Sequence, residues 1–163
     1  MDQLRQLAPF RDVPLLAARV AVGIVFMAHG WQKLVTNGLD ATTAGFTRGG
    51  VPVPRLSALY SGVVELVGGA CLVVGLLLPV VGLLLFLDMA GAFVFIHVGN
   101  GLMSSEGGFE FVMVLGTTSL LLAFIGAGPF SIDRLLLDRR RGSAAREGSS
   151  SPRSTPNNPQ PDR

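Results

Sequence analysis

Four stretches of the chain are apolar almost without interruption: residues 14–35, 56–78, 79–98 and 109–127. Each is close to the ~20 residues that a helix needs to cross a ~30 Å hydrocarbon core. The apolar residues run around the whole helix instead of along one stripe, a pattern suited to lipid rather than to a soluble bundle of this size. Between the first two stretches, TNGLDATTAGFTRGGVPVPR carries Gly49, Gly50, Pro52 and Pro54, which stop a continuous helix. It predicts an extended connection with a short interfacial helix around Ala41 to Thr47. In GLLLPVVG, Pro79 suits the first turn of a new helix, so the second and third stretches should be joined by a tight hairpin. The predicted fold is all-α, an integral membrane four-helix antiparallel bundle over residues 14–138, preceded by a short segment 1–13 and followed by a disordered tail 139–163.

Small residues recur where such helices would approach each other: Ala17, Ala18, Ala21, Gly23 and Gly30 in the first, Ser61, Gly62, Gly68, Gly69 and Gly75 in the second, and Gly82, Ala90, Gly91 and Ala92 in the third. Backbones pack closely at positions of this kind. The apolar pattern is broken by few polar groups, and charge inside a bilayer is costly enough that it faces a partner or a cavity. At 100° per residue, Arg19, Gly23, Phe26, His29, Gly30 and Lys33 share about a third of the first helix's surface. With a rise of ~1.5 Å per residue, Glu65 and Asp88 come out at matching depth near mid-membrane. Arg19 is then the natural counter-ion for one of these carboxylates, and His29 a hydrogen-bond partner for one of them. The candidate polar site is Arg19, His29, Lys33, Glu65, Asp88 and His97, with Glu110 and Asp133 as a second tier. Plainer readings stand beside it. Lys33 and Trp31 also suit an interfacial position, His97 and Glu110 suit the rim of a loop, and Arg19 with Glu65 suits a purely structural ion pair. The favoured expectation is a polar cavity open to the outer side.

Composition supports the membrane and adds topology. The chain has 163 residues, 49% of them hydrophobic and 15% charged, with a mean hydropathy of +0.52. The net charge of +2 is unevenly placed. Arg5 and Arg11 precede the first stretch, and Arg134, Arg139, Arg140, Arg141, Arg146, Arg153 and Arg163 follow the fourth, while VGNGLMSSEGGFE between the third and fourth has neither Lys nor Arg. Both termini are therefore expected in the cytoplasm, and the protein as a multi-pass protein of the inner or plasma membrane. The first stretch is too long for a signal-peptide core and lacks a small-residue cleavage site after it. The basic charge reports topology, and no nucleic-acid partner is expected; membrane lipid is. The tail, rich in Ser, Pro, Asn and Arg, has too little apolar surface to order itself. Cys71 is the single cysteine, so the chain alone supplies no dithiol pair. Two histidines without HxxxH spacing give a weak metal signal, and no metal centre is expected.

The motifs together resemble one family. RVAVGIVFMAHGWQKL, with Arg19, Gly23, His29, Gly30 and Lys33, is similar to the opening helix of DoxX proteins, and VELVGGACLVVGLLLP, with Glu65, Gly68, Gly69, Gly75 and Pro79, to their second helix. AGAFVFIHVGNG with His97, GGFEF with Glu110 and GAGPFSID with Gly128 and Asp133 follow in the same order. Asp88 departs from the resemblance, which is apolar at that position. The resemblance implies a small four-helix membrane protein linked to redox metabolism, such as a subunit of a quinol oxidase or thiosulfate:quinone oxidoreductase system, or a membrane partner of soluble enzymes handling sulfur or superoxide. Two functions compete. In the first, the interior binds a quinone head group or a small anion, with Arg19, His29 and Glu65 supplying hydrogen bonds and Lys33 attracting anions, while a soluble redox enzyme or second membrane subunit brings the electron carrier. The chain is then at most a subunit of an oxidoreductase, its cofactor unspecified, with quinone the candidate. In the second, the chain is a non-catalytic scaffold that recruits soluble redox enzymes through its Arg-rich tail, or a small lipophile-binding protein.

Overall fold

The computed structural model describes residues 8–135, with side chains from Asp12 onward. The tail 139–163, with its arginines, and Arg5 lie outside the described residues. The described chain is helical, with no strand. Helix α1 spans Ala8–Trp31 and runs on into a wide π-type turn, Gln32–Thr36. Helix α2, Leu39–Arg48, lies within the long connection. Helix α3 is Pro54–Val74 and α4 is Leu78–Ala92, which continues through a second π-type turn, Phe93–His97, and a 3₁₀ turn, Val98–Asn100. Helix α5 is Glu110–Ile125. Three of the helical stretches, Asp12–Thr36, Pro54–Val74 and Leu78–Asn100, are long and apolar enough to cross a membrane. The fourth, α5, is equally apolar but has 16 residues, about 24 Å of rise.

Burial is inverted relative to a water-soluble bundle. Ile24, Val67, Leu87 and Phe124 are exposed, whereas Arg19, Glu65 and Asp88 are buried. Lipid covers such a surface, so the polar groups must find partners inside. The helices pack as two close pairs, α1 on α3 and α4 on α5, joined by the α3–α4 hairpin. Glycine makes the first pair possible: a Cβ on Gly23 would lie 2.7 Å from the Gly69 carbonyl oxygen. In the second pair, Gly82 lies directly against the Ser119 carbonyl. Phe26, Leu72, Leu78, Leu85, Leu115 and Leu122 fill the core between the pairs.

Both helix starts after a connection are tightly set. Val53 precedes Pro54 at φ 44°, and Leu77 precedes α4 at φ 52°, two non-glycine residues in the left-handed region. Such conformations cost of order 1–3 kcal/mol and persist where their surroundings hold them. At Leu77 the holder is visible: its N–H donates to Asp133 Oδ1 at 3.1 Å. The chain beyond α5 thus fastens the α3–α4 hairpin.

Candidate functional site

The buried charged groups, Arg19, Glu65 and Asp88, fall into two separate clusters toward opposite ends of the bundle. The first surrounds Arg19, near the start of α1, the α3–α4 hairpin and the segment after α5. The Arg19 guanidinium donates to the carbonyl oxygens of Ala127 and of Phe130, the latter at 2.6 Å, and more weakly to that of Val73 at 3.4 Å. It is therefore not the counter-ion of Glu65 or Asp88. These carbonyls belong to the end of α3 and the chain just past α5, where carbonyl groups lack intrahelical partners and favour a cation. A planar five-donor fork serves several such acceptors at once.

The second cluster lies where α1 gives way to its π-type turn. Lys33 Nζ is 2.9 Å from Glu65 Oε2, a close ion pair whose alignment falls short of a hydrogen bond. The same ammonium donates to Ser61 Oγ at 2.7 Å. Ser61 in turn donates its hydroxyl proton to Asp88 Oδ2 at 3.2 Å. Ser61 and Glu65 stand one turn apart on α3, so both face the same point of α1 and α4. Glu65 and Asp88 also act on each other electrostatically. One ammonium thus faces two carboxylates, with a serine hydroxyl between it and the second. The Phe46 ring of α2 lies over Lys33 Nζ at 5.9 Å, within cation–π reach.

Asp88, Lys33 and Ser61 form one end of a cavity of about 790 Å³. Its walls come from both π-type turns, from α2, from the first turns of α3 and from the C-terminal part of α4, with Phe46, Leu87, Phe95 and Ile96 giving it a mainly apolar surface. Gln32, Asn37, Arg48, Tyr60 and His97 add polar groups to the walls. Glu65 stays behind this surface, only 2% exposed. Asp88 and His97 are nine residues apart on one helix, so ~13 Å of rise separates them along the wall. A π-type turn opens a helix wider than normal and is frequent at functional sites. Here one such turn carries Lys33 and the other carries His97.

The remaining candidates have local partners. His29 Nδ1 bonds the Val25 carbonyl at 2.9 Å, and its ring rests against Phe111 of α5, so it reaches neither carboxylate. The cause is rotational: one residue along a helix turns a side chain by ~100°, which puts His29 beside α5 while Gly30 faces α3. His97 Nδ1 donates to the Gly107 carbonyl at 2.6 Å, leaving Nε2 for the cavity. Glu110 accepts from the Ser104 N–H at 2.7 Å and from its hydroxyl at 2.8 Å, fixing the 3₁₀ turn Ser104–Glu106. Asp133 caps α4, as described. Among the described residues no group of three metal-ligating side chains converges. Ser61 and Tyr60 are site residues that the sequence reading did not single out as polar contributors. The available signal for Ser61 was a hydroxyl one turn before a buried acid.

The DoxX family profile matches residues 14–98, more than half of the chain. The chain belongs to the DoxX family. Relatives of this DoxX protein share about a third of their residues with it. The putative oxidoreductase CatD of Bacillus subtilis is 31% identical over 122 residues, 75% of this chain and 86% of CatD. An uncharacterized membrane protein of Mycobacterium tuberculosis is 33% identical over 145 residues, 81% of this chain and 86% of its own. The inner membrane protein YphA of Escherichia coli is 30% identical over 129 residues, covering 76% and 91%. No solved structure matches at a significant level.

Proposed function

We propose that this DoxX protein is the membrane subunit of a redox system and holds a quinone-type head group in the cavity bounded by Lys33, Ser61 and Asp88. The observation that carries this reading is the pairing of a mainly apolar 790 Å³ space with a charged end inside the bundle. Small-molecule sites have this form, with apolar walls and a few placed polar groups. Leu87 and Phe95 offer apolar surface to an aromatic ring, and Lys33, Ser61 and Asp88 offer polar atoms to its oxygens. The name of the Bacillus subtilis relative points to the same chemistry. The chain supplies binding and hydrogen bonding; a soluble redox enzyme or second membrane subunit supplies the electron carrier. Following the basic residues, the Arg19 end faces the cytoplasm and the cavity faces the outer side of the cell membrane.

Trp31 is the single tryptophan and adjoins Gln32 of the cavity wall, so quenching of its fluorescence reads occupancy. Gly91 lines the cavity and a Cβ there would meet nothing within 4 Å, so Gly91→Phe fills the space without disturbing helix packing. Saturable quenching of the wild-type protein in nanodiscs by a short-chain quinone, weakened at least about tenfold in Gly91→Phe, is expected. Equal quenching in both, or none that saturates in the wild type, overturns the reading.

A further inference from the structure

Two acids and one cation do not balance. The closed end of the cavity gathers the Glu65 and Asp88 carboxyl groups, 2% and 9% exposed, around a single positive charge, the Lys33 ammonium 2.9 Å from Glu65 Oε2. Ser61, which accepts from Lys33 at 2.7 Å and donates to Asp88 at 3.2 Å, is uncharged. The charges that act on the two acids are those of Lys33 and of each other. Tyr60 of α3 also faces Asp88, but a phenol has no positive form to offer. His97 stands ~13 Å further along the wall, and Arg48 lines the cavity from α2 and is exposed. With both acids ionised the cluster carries a net −1 inside an apolar bundle, where an unbalanced charge is costly. The contact between the acids points the same way. Their side chains meet in a hydrogen bond, and two ionised carboxylates have only lone pairs to offer each other.

We propose that Glu65 and Asp88 hold one proton between them at neutral pH and exchange it with water in the cavity, so that this end of the bundle is a proton-binding site. The proton belongs to the pair rather than to either residue. Shared in this way, one negative charge spread over two carboxyl groups faces one ammonium, and the cluster is neutral. Asp88 lines the cavity and Glu65 does not, which sets the route. From Glu65 the proton crosses the hydrogen bond to Asp88, and from Asp88 it passes to water. On release a carboxyl O–H bond breaks, the proton leaves on a water molecule and the cluster goes from 0 to −1; no electron moves. Raising the pH therefore empties the site and lowering it fills the site. Lys33 sets how many protons the pair keeps, because each cation in the cluster takes the place of one. The proposal does not depend on what else the cavity binds.

Infrared spectroscopy of the ligand-free protein tests this through the carbonyl stretch of a protonated carboxyl group and its shift in heavy water. A detergent without ester groups keeps lipid carbonyls from hiding the band. Wild-type protein at neutral pH should show the band, and it should fade as the pH is raised. Glu65→Gln and Asp88→Asn each leave one acid to one ammonium, so the band should be lost in both. Lys33→Met removes the cation, and the band should grow to about twice its wild-type size as the second acid also keeps a proton. In Gly91→Phe, whose ring fills the cavity, the heavy-water shift should develop at least about tenfold more slowly. A wild-type protein without the band overturns the proposal. So does a band that survives either acid substitution, because the proton then lies outside the pair or on one acid alone. A wild-type band present in choline buffer and lost in sodium buffer at the same pH assigns the balancing charge to a metal cation and overturns it as well. Unchanged exchange in Gly91→Phe overturns the route through the cavity. The wild-type band and the sodium comparison need no variant to fold.

Discussion

The first membrane stretch carries a cation toward each end, Arg19 in α1 and the half-buried Lys33 in the π-type turn that follows, and the two have opposite surroundings. Arg19, 1% exposed, faces backbone carbonyls of the α3–α4 hairpin and of the segment after α5. Lys33 faces side chains, two acids and a hydroxyl, beside open space. The residue types fit the difference. Guanidinium is rigid and multidentate, suited to tying three chain segments together; ammonium is a point charge on a flexible stem, suited to a site whose occupant changes. A buried charge answered by backbone closes the structure, whereas a half-buried charge answered by acids stands at a cavity wall.

The sharpest way to break this comparison is at Arg19. Arg19→Leu removes the guanidinium donors from the Ala127, Phe130 and Val73 carbonyls and leaves the chain beyond α5 tied to the hairpin through Asp133 alone among the described contacts. Each buried acceptor left unsatisfied costs ~1–3 kcal/mol, so a total destabilisation of about 4 kcal/mol is expected. Denaturation in mixed detergent, followed by loss of helical circular dichroism, measures it. The folded fraction should bind the short-chain quinone as wild type does. A stable protein with weakened binding would instead assign Arg19 to the site and abolish the division of labour.

At the other end, Lys33→Met strands Glu65 and Asp88 without their cation. Breaking a fully buried pair costs ~3–5 kcal/mol, and because the Lys33 side chain is 22% exposed the smaller figure of about 2 kcal/mol is expected here. Stability should recover in part when Glu65→Gln is added, since the amide is neutral, but quinone binding should not, because Ser61 has lost the donor that orients it. A double-mutant cycle on stability and on binding separates the two effects. If both recover together, Lys33 serves only to lock helices.

The same contrast explains how much was legible in the chain. The helices and their glycine contacts follow from long apolar runs and from small residues at helical spacing. The α2 segment within loop one and the hairpin before Pro79 follow from local breakers. Depth was enough to bring Glu65 and Asp88 to the same level, because rise per residue is fixed. Partner choice was not. Arg19 was matched to a carboxylate because sequence displays charges and hides carbonyls, yet a helix end presents a cluster of unsatisfied acceptors that no residue letter records. His29 was assigned to the acids because a one-third arc on a helical wheel spans two neighbouring helices, and His29 falls on the side of α5. Lys33 suited an interface as well as a site; the π-type turn that holds it beside Ser61 leaves no simple mark in the letters QKLVT.

The smallest expected effect tests whether α2 belongs to the site or merely covers it. The Thr42 hydroxyl shares its proton between the carbonyls of Lys33 at 2.8 Å and Gly38 at 3.0 Å, tying the start of the site's π-type turn to α2. The ends of α2 are flanked by Gly38 at φ 79° and Gly50 at φ 70°, conformations that glycine adopts freely. An added Cβ at either would meet nothing within 4 Å, so both flanks lie in open surroundings. α2 packs along α3, and Gly49 at its end lies against Ile96; Thr42 and Phe46 on the Lys33 ammonium add to the contacts that hold it over the cavity, while the exposed Arg55–Asp40 pair adds little. Thr42→Val keeps the shape and removes the bond, at about 1 kcal/mol. Hydrogen exchange of residues 39–48 should then rise several-fold, and ligand should enter and leave faster at nearly unchanged affinity. Exchange that rises without any change in binding rates would make α2 a cover on the outside of the bundle. A matched change in both ties the motion of α2 to Lys33, the one residue whose backbone holds this helix and whose side chain holds the acids.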